Sequence, residues 1–295
     1  MSKASTGTSQ SDGSLDKGPL LGKQVSGSAS YDPSLLFPVP RANARQTLPA
    51  TEVEFFGADV WHAYELSWLM ASGMPQMFTG TFAIPCTSPN IVESKSLKLY
   101  LNSLNNHRFA SEQAAVSTIE AAVSRVLQDK ARLILTTPGG IAQGLPTTND
   151  NTSDHKSGAN IPFDLGECLD ALQAEIHDDP SQVSLAPRDG DARVHTHLMR
   201  SLCPVTAQPD WATVIITTRG RHAEPASLLS YLLSYRNHQE FHEQCVERIF
   251  CDLMLKLDPA YLEVHALYTR RGGLDISPWR CSEDKPAPLF RLDRQ

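Results

Sequence analysis

The chain contains one sequence module twice, and this duplication constrains its fold more than any other feature. Residues 93–113 and 224–244 align at a constant offset of 131, and ten of the 21 positions are identical. The identical pairs are Glu93/Glu224, Ser96/Ser227, Leu97/Leu228, Tyr100/Tyr231, Leu101/Leu232, Ser103/Ser234, Asn106/Asn237, His107/His238, Glu112/Glu243 and Gln113/Gln244. A shorter match upstream, at an offset of 129, pairs Leu69, Met70, Ser72 and Pro75 with Leu198, Met199, Ser201 and Pro204. Because 295 residues suffice for two ordinary domains, the repeat predicts two related domains in tandem.

The two copies differ at positions that could carry chemistry. At these offsets the differing pairs are Lys95/Ala226, Lys98/Leu229, Met74/Cys203 and Ser111/His242. One copy therefore keeps two ammonium groups, and the other keeps a thiol and an imidazole. This division predicts a single site to which both halves contribute.

The composition excludes several classes of protein. The net charge of -7 and the isoelectric point near 5.8 argue against general binding to nucleic acid or to an anionic membrane surface. No apolar run approaches the roughly 18 residues that a membrane span needs, and the N-terminal stretch lacks the apolar core of a secretion signal. The six cysteines show no CxxC pattern, so we expect reduced thiols in a cytoplasmic protein.

Apolar spacing predicts two helices in each half. Helical spacing on one face predicts a first helix from Leu97, Tyr100, Leu101 and Leu104 in one copy, and from Leu228, Tyr231, Leu232 and Tyr235 in the other. A second helix is predicted from Val116, Ile119, Val123, Val126 and Leu127, and from Phe241, Cys245, Ile249 and Leu253. The pair Asn237 and Glu240 suggests a capping box before the last of these helices.

Strand-like stretches surround these helices, at 51–70, 77–85, 131–137 and 261–269. The predicted fold class is α+β, with two helices on one face of an antiparallel sheet in each module. The predicted domains are a disordered or extended segment 1–45, a first module 46–165, a connecting segment 166–190 and a second module 191–295. A surface loop is expected at 138–160, where Gly, Pro, Asn, Thr and Ser predominate.

Lys95 and Lys98 lie in the first turn of a predicted helix, beside Ser94. Cations are unfavourable there, because the helix dipole is positive at its N-terminus. Two ammonium groups beside free backbone N–H groups form a suitable phosphate receptor. The alternative is that the two lysines only keep a helix face solvated.

Cys203 precedes Asp210 by seven residues, just before a predicted strand. A thiol nucleophile needs a partner that handles its proton. Trp211 follows Asp210, and an aromatic neighbour could raise the pKa of that carboxyl enough for it to act as an acid. The alternatives are a small core cysteine and a turn aspartate.

His242 and Glu243 are adjacent near the start of the last predicted helix. Histidine can shuttle a proton, and a carboxylate can accept two hydrogen bonds from a guanine-like edge. Arg270 and Arg271 precede two glycines at a predicted strand end, which suits an approaching phosphate. The alternative for all four side chains is solvated surface.

Four motifs together resemble the 7-cyano-7-deazaguanine reductases in their long, two-module form. These motifs are ESKSLKLYLNS at 93–103, CPVTAQPDW at 203–211, FHE at 241–243 and RRGG at 270–273, and the resemblance covers roughly residues 50–295. This family consists of NADPH-dependent nitrile reductases of queuosine biosynthesis, a tRNA modification pathway. It belongs to the tunnelling-fold group, so the resemblance implies two tandem tunnelling-fold modules and an assembly such as a homodimer.

The resemblance also implies roles for individual residues. Cys203 would attack the nitrile carbon to form a covalent thioimide, Asp210 would supply a proton, and His242 would serve both catalysis and substrate binding. The implied substrate-binding residues are Val92, Glu93, Ser94, His242 and Glu243. The implied NADPH-binding residues are Ser94, Lys95, Lys98, Arg270, Arg271 and Gly272. The small-molecule substrate would be a deazapurine, and the family requires no catalytic metal.

Two other functions remain open at this level. One is a tunnelling-fold hydrolase acting on a pterin or GTP, although Cys203 has no nearby Cys or His at zinc-ligand spacing. The other is a module that binds a purine-like ring without catalysis. The chain has no GxGxxG motif, so a Rossmann cofactor site is not expected, and neither nucleic acid nor a membrane is an expected direct partner.

Overall fold

The computed structural model describes residues 30–49, 52–137 and 164–295, which form a mixed α and β fold. The helices are α1 (Arg41–Arg45), α2 (Ser94–Ser103), α3 (Glu112–Leu127), α4 (Pro225–Leu233) and α5 (His242–Leu257). The strands are β1 (Pro38–Pro40), β2 (Phe56–Met70), β3 (Pro75–Pro85), β4 (Asn90–Val92), β5 (Arg108–Phe109), β6 (Arg132–Thr136), β7 (Glu167–Cys168), β8 (Pro187–Asp189), β9 (Ala192–Leu202), β10 (Pro209–Arg219), β11 (Arg221–Ala223), β12 (Tyr261–Tyr268) and β13 (Leu274–Cys281). Segment 1–29 and the loop predicted at 138–160 lie outside the described residues.

A nine-stranded sheet runs through both halves of the chain. Its order is β6-β3-β2-β13-β12-β10-β9-β7, with β5 added beside β2. The long strands pair antiparallel, and only the short strands β5 and β7 pair in parallel. The halves join where β13 pairs with β2, in a register that places Ile276 opposite Trp61. The predicted α+β class with two tandem modules is confirmed.

The helices pack against the sheet through the predicted apolar stripes. One buried cluster joins α2 and α3 to the first-half strands, and it includes Leu97, Leu101, Ile119 and Val123. A second cluster joins α4 and α5 to the second-half strands. Each half therefore has its own hydrophobic core, and the predicted pair of helices per half is confirmed.

The counterpart of Cys203 in the first half is Met70. The amide of Cys203 donates to the carbonyl of Gln208 over 2.9 Å, and the amide of Met70 donates to the carbonyl of Met74 over the same distance. These bonds close equivalent hairpin loops, between β9 and β10 and between β2 and β3. The prediction that Met74 corresponds to Cys203 is therefore wrong, because the short match at offset 129 is out of structural register.

The counterpart of His242 is Glu112, because the two long helices align at an offset of 130. The amide of Ala115 bonds to the carbonyl of Ser111 (3.1 Å), and the amide of Cys245 bonds to that of Phe241 (3.0 Å). Counted from the start of the preceding helix, α5 begins one residue earlier than α3 does. Pairing His242 with Ser111 was therefore wrong.

The predicted capping box at Asn237 and Glu240 was also wrong. Helix α5 begins later, at His242. The amide of Phe241 there donates to the side chain of Gln244 over 3.2 Å. Because this bond satisfies the backbone at the helix start, α5 presents His242 and Glu243 in its first turn.

Each module begins earlier than the sequence suggested. Both start with the tripeptide Asp-Pro-Ser, at residues 32–34 and 179–181, where an aspartate caps a short 3-10 turn. Phe37 then bonds to Glu93 and Ser96, and Ala186 bonds in the same way to Glu224 and Ser227. Residues 30–45 therefore contain regular structure, and 179–189 pack with the second core, which differs from the expectation of a disordered or extended segment 1–45 and a connecting segment 166–190. The remaining domain boundaries stay predictions.

Strand β13 was not predicted, since two glycines precede it and Pro278 lies within it. Gly272 (φ 59°) and Gly273 (φ 83°) form the two-residue turn from β12 to β13, a left-handed geometry that favours glycine.

The six cysteines are all free. In the described part of the chain, no helix has the length and apolarity needed to cross a membrane.

Candidate active site

A cavity of about 420 Å³ lies where the two halves meet, a size typical of ligand pockets. It collects most of the side chains that the sequence had singled out. Those lining it are Val92, Glu93, Ser94, Lys95, Lys98, Cys203, Asp210, His242, Glu243, Arg271 and Gly272. Arg270 is the exception, because its guanidinium lies 4.6 Å above the ring of Tyr64 and does not line the cavity.

Cys203 and Asp210 are brought together by the hairpin between β9 and β10. The register pairs Leu202 with Pro209 and Ser201 with Asp210, and Cys203 is opposite Gln208. Residues opposite each other share a face, as do residues two apart in a strand. The seven-residue spacing therefore places the thiol and the carboxyl on the same face of the hairpin.

Trp211 does not form a wall beside Asp210, in contrast to the prediction. Successive residues of a strand point to opposite faces. The indole of Trp211 instead lies among the guanidinium groups of Arg200, Arg236 and Arg294, each within 5.8 Å. The apolar surface near Asp210 comes from elsewhere in the cavity, where Phe241 contributes to the lining.

Two basic side chains contact Asp210. Nε2 of His242 lies 3.2 Å from its Oδ2 atom, and Nη1 of Arg271 donates a short bond to its Oδ1 atom. Burial raises the pKa of Asp210, but His242 and Arg271 outweigh it and hold that pKa below its usual value. The expectation of a raised pKa is therefore wrong for the ligand-free protein, in which Asp210 is a carboxylate at neutral pH.

The imidazole of His242 is held in a fixed orientation. Its ring stacks on Tyr268 at 3.7 Å between centroids, with 8° between the planes. Because Tyr268 is fully buried, this stack directs Nε2 of His242 towards Asp210. The two groups can therefore share one proton across a defined distance.

Glu243 is a buried carboxyl group in the first turn of α5, with 3 % of its surface exposed. Burial and the charge of Asp59 raise the pKa of Glu243 to about 8. The ion pairs around it among the described residues involve Asp59, Asp210 and Glu247 but not Glu243. A buried acid without a salt-bridge partner, facing a cavity, is suited to a ligand that brings its own N–H donors.

A buried ionic network supports this part of α5. Arg280 contacts Asp59 (2.8 Å) from the first half and Glu247 (2.7 Å) of α5. Arg41 contacts Asp59 (2.5 Å), and Arg45 contacts Glu247 (2.8 Å). The network joins the two halves directly behind Glu243, so it fixes the helix that carries His242 and Glu243.

The carboxylate of Glu93 caps α2. It accepts hydrogen bonds from the amides of Lys95 (2.9 Å) and Ser96 (2.7 Å). Glu224 caps α4 through the amide of Ser227 (2.8 Å) in the same way. Helix capping thus explains why glutamate occurs in both copies, although Glu93 alone lines the cavity.

Comparisons with known proteins identify the family of the chain. A family model described as "Nitrile reductase, 7-cyano-7-deazaguanine-reductase N-term" matches residues 28–135, and one described as "QueF-like protein" matches residues 209–287. The NADPH-dependent 7-cyano-7-deazaguanine reductase of Desulfotalea psychrophila is 42% identical over 287 residues, covering 95% of this chain and 99% of that protein. Those of Stenotrophomonas maltophilia K279a and Xanthomonas campestris B100 are each 45% identical, covering 93% of this chain and 97% of their own. The chain belongs to the family of NADPH-dependent 7-cyano-7-deazaguanine reductases.

The cofactor of this reductase family carries phosphate groups, and one end of the cavity fits them. Ser94, Lys95 and Lys98 of α2 converge there with Arg271 and Gly272 from the turn after β12. A Cβ atom at Gly272 would lie only 2.6 Å from Nζ of Lys98, so glycine allows the two halves to approach closely. Ammonium and guanidinium groups at a helix N-terminus suit phosphate.

Several residues that line the reductase cavity were missed by the sequence reasoning. Trp61, Gln208 and Phe241 belong to it, as does Asp275. Asp275 accepts a bond from Tyr64 and lies 2.6 Å from Nδ1 of His62. In the sequence, these residues look like ordinary strand or loop residues. Nothing in the local pattern indicates that they surround a cavity.

The described ranges contain no group of three or more His, Cys, Asp or Glu side chains arranged to hold a metal ion.

Proposed function

We propose that this chain reduces the nitrile of 7-cyano-7-deazaguanine to the aminomethyl group with NADPH, through a thioimide on Cys203. The observation that carries the proposal is the convergence of Cys203 with the Asp210–His242 pair, in a cavity that also contains the buried acid Glu243. Membership of the reductase family supports the same reaction.

The first step is capture of the nitrile. The sulfur of Cys203 bonds to the nitrile carbon, one carbon–nitrogen π bond breaks, and the nitrogen takes up a proton. The thiol proton passes to the Asp210 carboxylate, and the Asp210–His242 pair gives a proton to the nitrile nitrogen. Because Asp210 is a carboxylate in the free protein, Nε2 of His242 donates the hydrogen bond within the pair. Covalent capture beside an acid suits a weak electrophile such as a nitrile.

The deazaguanine ring is held by groups from both halves. Glu243 accepts the N–H donors of the guanine-like edge, once it has lost the proton that burial favours. Val92, Glu93 and Ser94 complete the pocket from the first half, and His242 contacts the substrate next to Glu243. Recognition by a buried acid rejects rings that lack these donors, since the carboxylate would then stay unpaired.

The cofactor binds at the end of the cavity that carries the lysines. Ser94, Lys95, Lys98, Arg271 and Gly272 hold it, whereas Arg270 supports this edge from outside the cavity. NADPH when bound supplies hydride, and two equivalents are needed to take a nitrile to an amine. The cavity walls formed by Trp61 and Phe241 limit access of water to the captured substrate.

The wider setting follows from the family. We propose a role in queuosine biosynthesis, in the cytoplasm, as a homodimer that does not bind nucleic acid directly. Sedimentation of the purified protein and tRNA analysis of a deletion strain test these statements separately from the chemistry.

The decisive experiment is an intact-protein mass spectrum after mixing with 7-cyano-7-deazaguanine in the absence of NADPH. We expect the wild type and Cys168→Ala to gain the mass of one substrate, and Cys203→Ala to gain none. Cys168 is an exposed thiol and a matched control. If folded wild type formed no adduct, a ring-binding module or a metal-dependent hydrolase would become the better reading.

A further inference from the structure

Arg271 contacts the acid and also lies at the cofactor end of the cavity. Its Nη1 atom donates to Asp210, and its Nη2 atom donates to Oε1 of Gln208 over 2.5 Å. The side chain of Arg271 is 38% exposed, whereas that of Asp210 is 4% exposed. The guanidinium therefore reaches from the mouth of the cavity to a buried carboxylate.

The backbone at Arg271 is fixed, so only its side chain can change partners. The amide of Arg271 donates to the carbonyl of Leu274 over 2.9 Å, across the turn formed by Gly272 and Gly273. Lys98 packs directly on Gly272. A phosphate held by Lys98 would therefore come within reach of Arg271 without any movement of the strands.

We propose that Arg271 is a switch between the two parts of the reaction: it binds the Asp210 carboxylate in the free protein and exchanges it for a cofactor phosphate, after which Asp210 carries the proton that the nitrile nitrogen receives. This inference rests on the proposed function and deepens it. Binding of the cofactor thereby prepares the acid, and capture of the nitrile no longer depends on His242 alone for its proton.

The physical basis is the balance of influences on Asp210. Burial raises the pKa of Asp210, and the contacts with His242 and Arg271 lower it. When the guanidinium leaves, one of the two contacts that lower the pKa of Asp210 is lost. Burial then raises this pKa more than it does in the free protein. The titratable and charged groups that face Asp210 or share its cavity are Glu93, Lys95, Lys98, Cys203, His242, Glu243, Tyr268, Arg271 and Asp275. Of these, Arg271 is the contacting group that is also exposed enough to exchange partners.

The test measures how fast the thioimide forms, by quenched intact mass, from about pH 4 to about pH 9, because the pKa of Asp210 in the free protein lies below its usual value. The wild type is compared without cofactor and with saturating NADP⁺, which binds through the same phosphates but has no hydride to give. We expect NADP⁺ to move the fall in rate to higher pH by about one unit, a gain of about tenfold above that point. Calorimetry confirms that NADP⁺ is bound.

Variants separate the switch from other effects. Arg271→Gln should form the adduct with the shifted pH profile even without NADP⁺, and NADP⁺ should shift it no further. Arg236→Gln is the matched control, because Arg236 lies against Trp211, the residue after Asp210 in β10, but does not line the cavity; it should behave as the wild type. An unchanged wild-type profile with NADP⁺ bound, or an Arg271→Gln profile equal to that of the free wild type, overturns the switch. Absence of any adduct in the wild type overturns the proposed function itself.

Discussion

Nε2 of His242 lies 3.2 Å from Oδ2 of Asp210, and this contact joins the first turn of α5 to the hairpin that carries Cys203. Their side chains come from elements 32 residues apart in the chain, so the pair exists only in the folded protein. The pair therefore places a proton donor beside Cys203, the nucleophile of the proposed reaction. It also makes the consequences of changing either group specific enough to measure.

Replacing His242 with Asn should slow thioimide formation by about 10²-fold to 10⁴-fold, the usual contribution of a positioned acid or base. Asparagine can still hydrogen-bond to Asp210 but cannot carry the proton. Quenched intact-mass measurements would give the rate. Tyr268→Phe is the control, because it keeps the ring that stacks on His242. If His242→Asn formed the thioimide at a rate near that of the wild type, the imidazole would be excluded as the proton donor.

The affinity for substrate should increase as the pH rises through about 8. Burial and Asp59 raise the pKa of Glu243 to that value, so below it the carboxyl must lose a proton before it can accept two N–H donors. Each pH unit below about 8 should therefore weaken binding by about tenfold. Titration calorimetry on Cys203→Ala, which cannot form the adduct, measures this. The additional change Glu243→Gln should weaken binding at high pH and remove the pH dependence; a dependence that survives it would refute the assignment.

Lys95→Ala and Lys98→Ala should each weaken NADPH binding by about tenfold, since each removes a charge-assisted bond worth about 1.5 kcal/mol or more. Adduct formation without cofactor should be unaffected. Lys130→Ala, an exposed lysine just before β6, is the control. Fluorescence titration with NADPH gives the affinity, and an unchanged Michaelis constant for NADPH in both variants would contradict the phosphate-site interpretation.

The duplicated glutamates permit a comparison within one chain. Glu93→Ala and Glu224→Ala should each reduce the free energy of unfolding by about 0.5–2 kcal/mol, because each removes a helix cap. Only Glu93→Ala should also weaken substrate binding, since only Glu93 lines the cavity. Urea unfolding and calorimetry measure the two effects. Equal affinities for substrate in both variants would limit Glu93 to capping.

The sequence predicted the helices well because apolar spacing reports directly which helix face is buried. Leu97, Tyr100 and Leu101 fall at helical spacing, and all three are buried in α2. Eleven of the residues around the cavity were also expected from the sequence. Unusual charges at a helix start and a thiol near an acid are local signals, and the family resemblance supplied the others, such as Val92 and Glu93.

The parts that the sequence did not predict depend on contacts distant in the chain. The pairing of Cys203 with Met74 failed because hairpin loops of unequal length shift the register between copies, whereas hydrogen bonds identify Met70. The ionised state of Asp210 was missed because Arg271 is 61 residues away. Burial of Asp275 beside His62 depends on the pairing of β13 with β2, which joins the two modules.

The network behind Glu243 should determine the acid stability of the protein. Although burial opposes ionisation, Arg280 and its neighbours hold the pKa values of Asp59 and Glu247 below their usual ranges. The stabilisation is thus complete above the unfolded-state pKa values and is lost as the pH falls through the folded-state values. Arg280→Met leaves two buried carboxylates less compensated, so we expect a loss of about 3–5 kcal/mol at neutral pH.

The acid unfolding transition of Arg280→Met should also begin at a higher pH than that of the wild type, because both carboxyl groups regain higher pKa values without their shared cation. Urea unfolding at a series of pH values measures both effects. Arg219→Met is the control, since Arg219 lies 4.3 Å from the ring of Tyr261 and outside this network, and it should cost about 1 kcal/mol or less. If the two variants had equal stability at every pH, the network would not be what holds α5 against the first module, and the orientation of Glu243 would have to come from the apolar core alone.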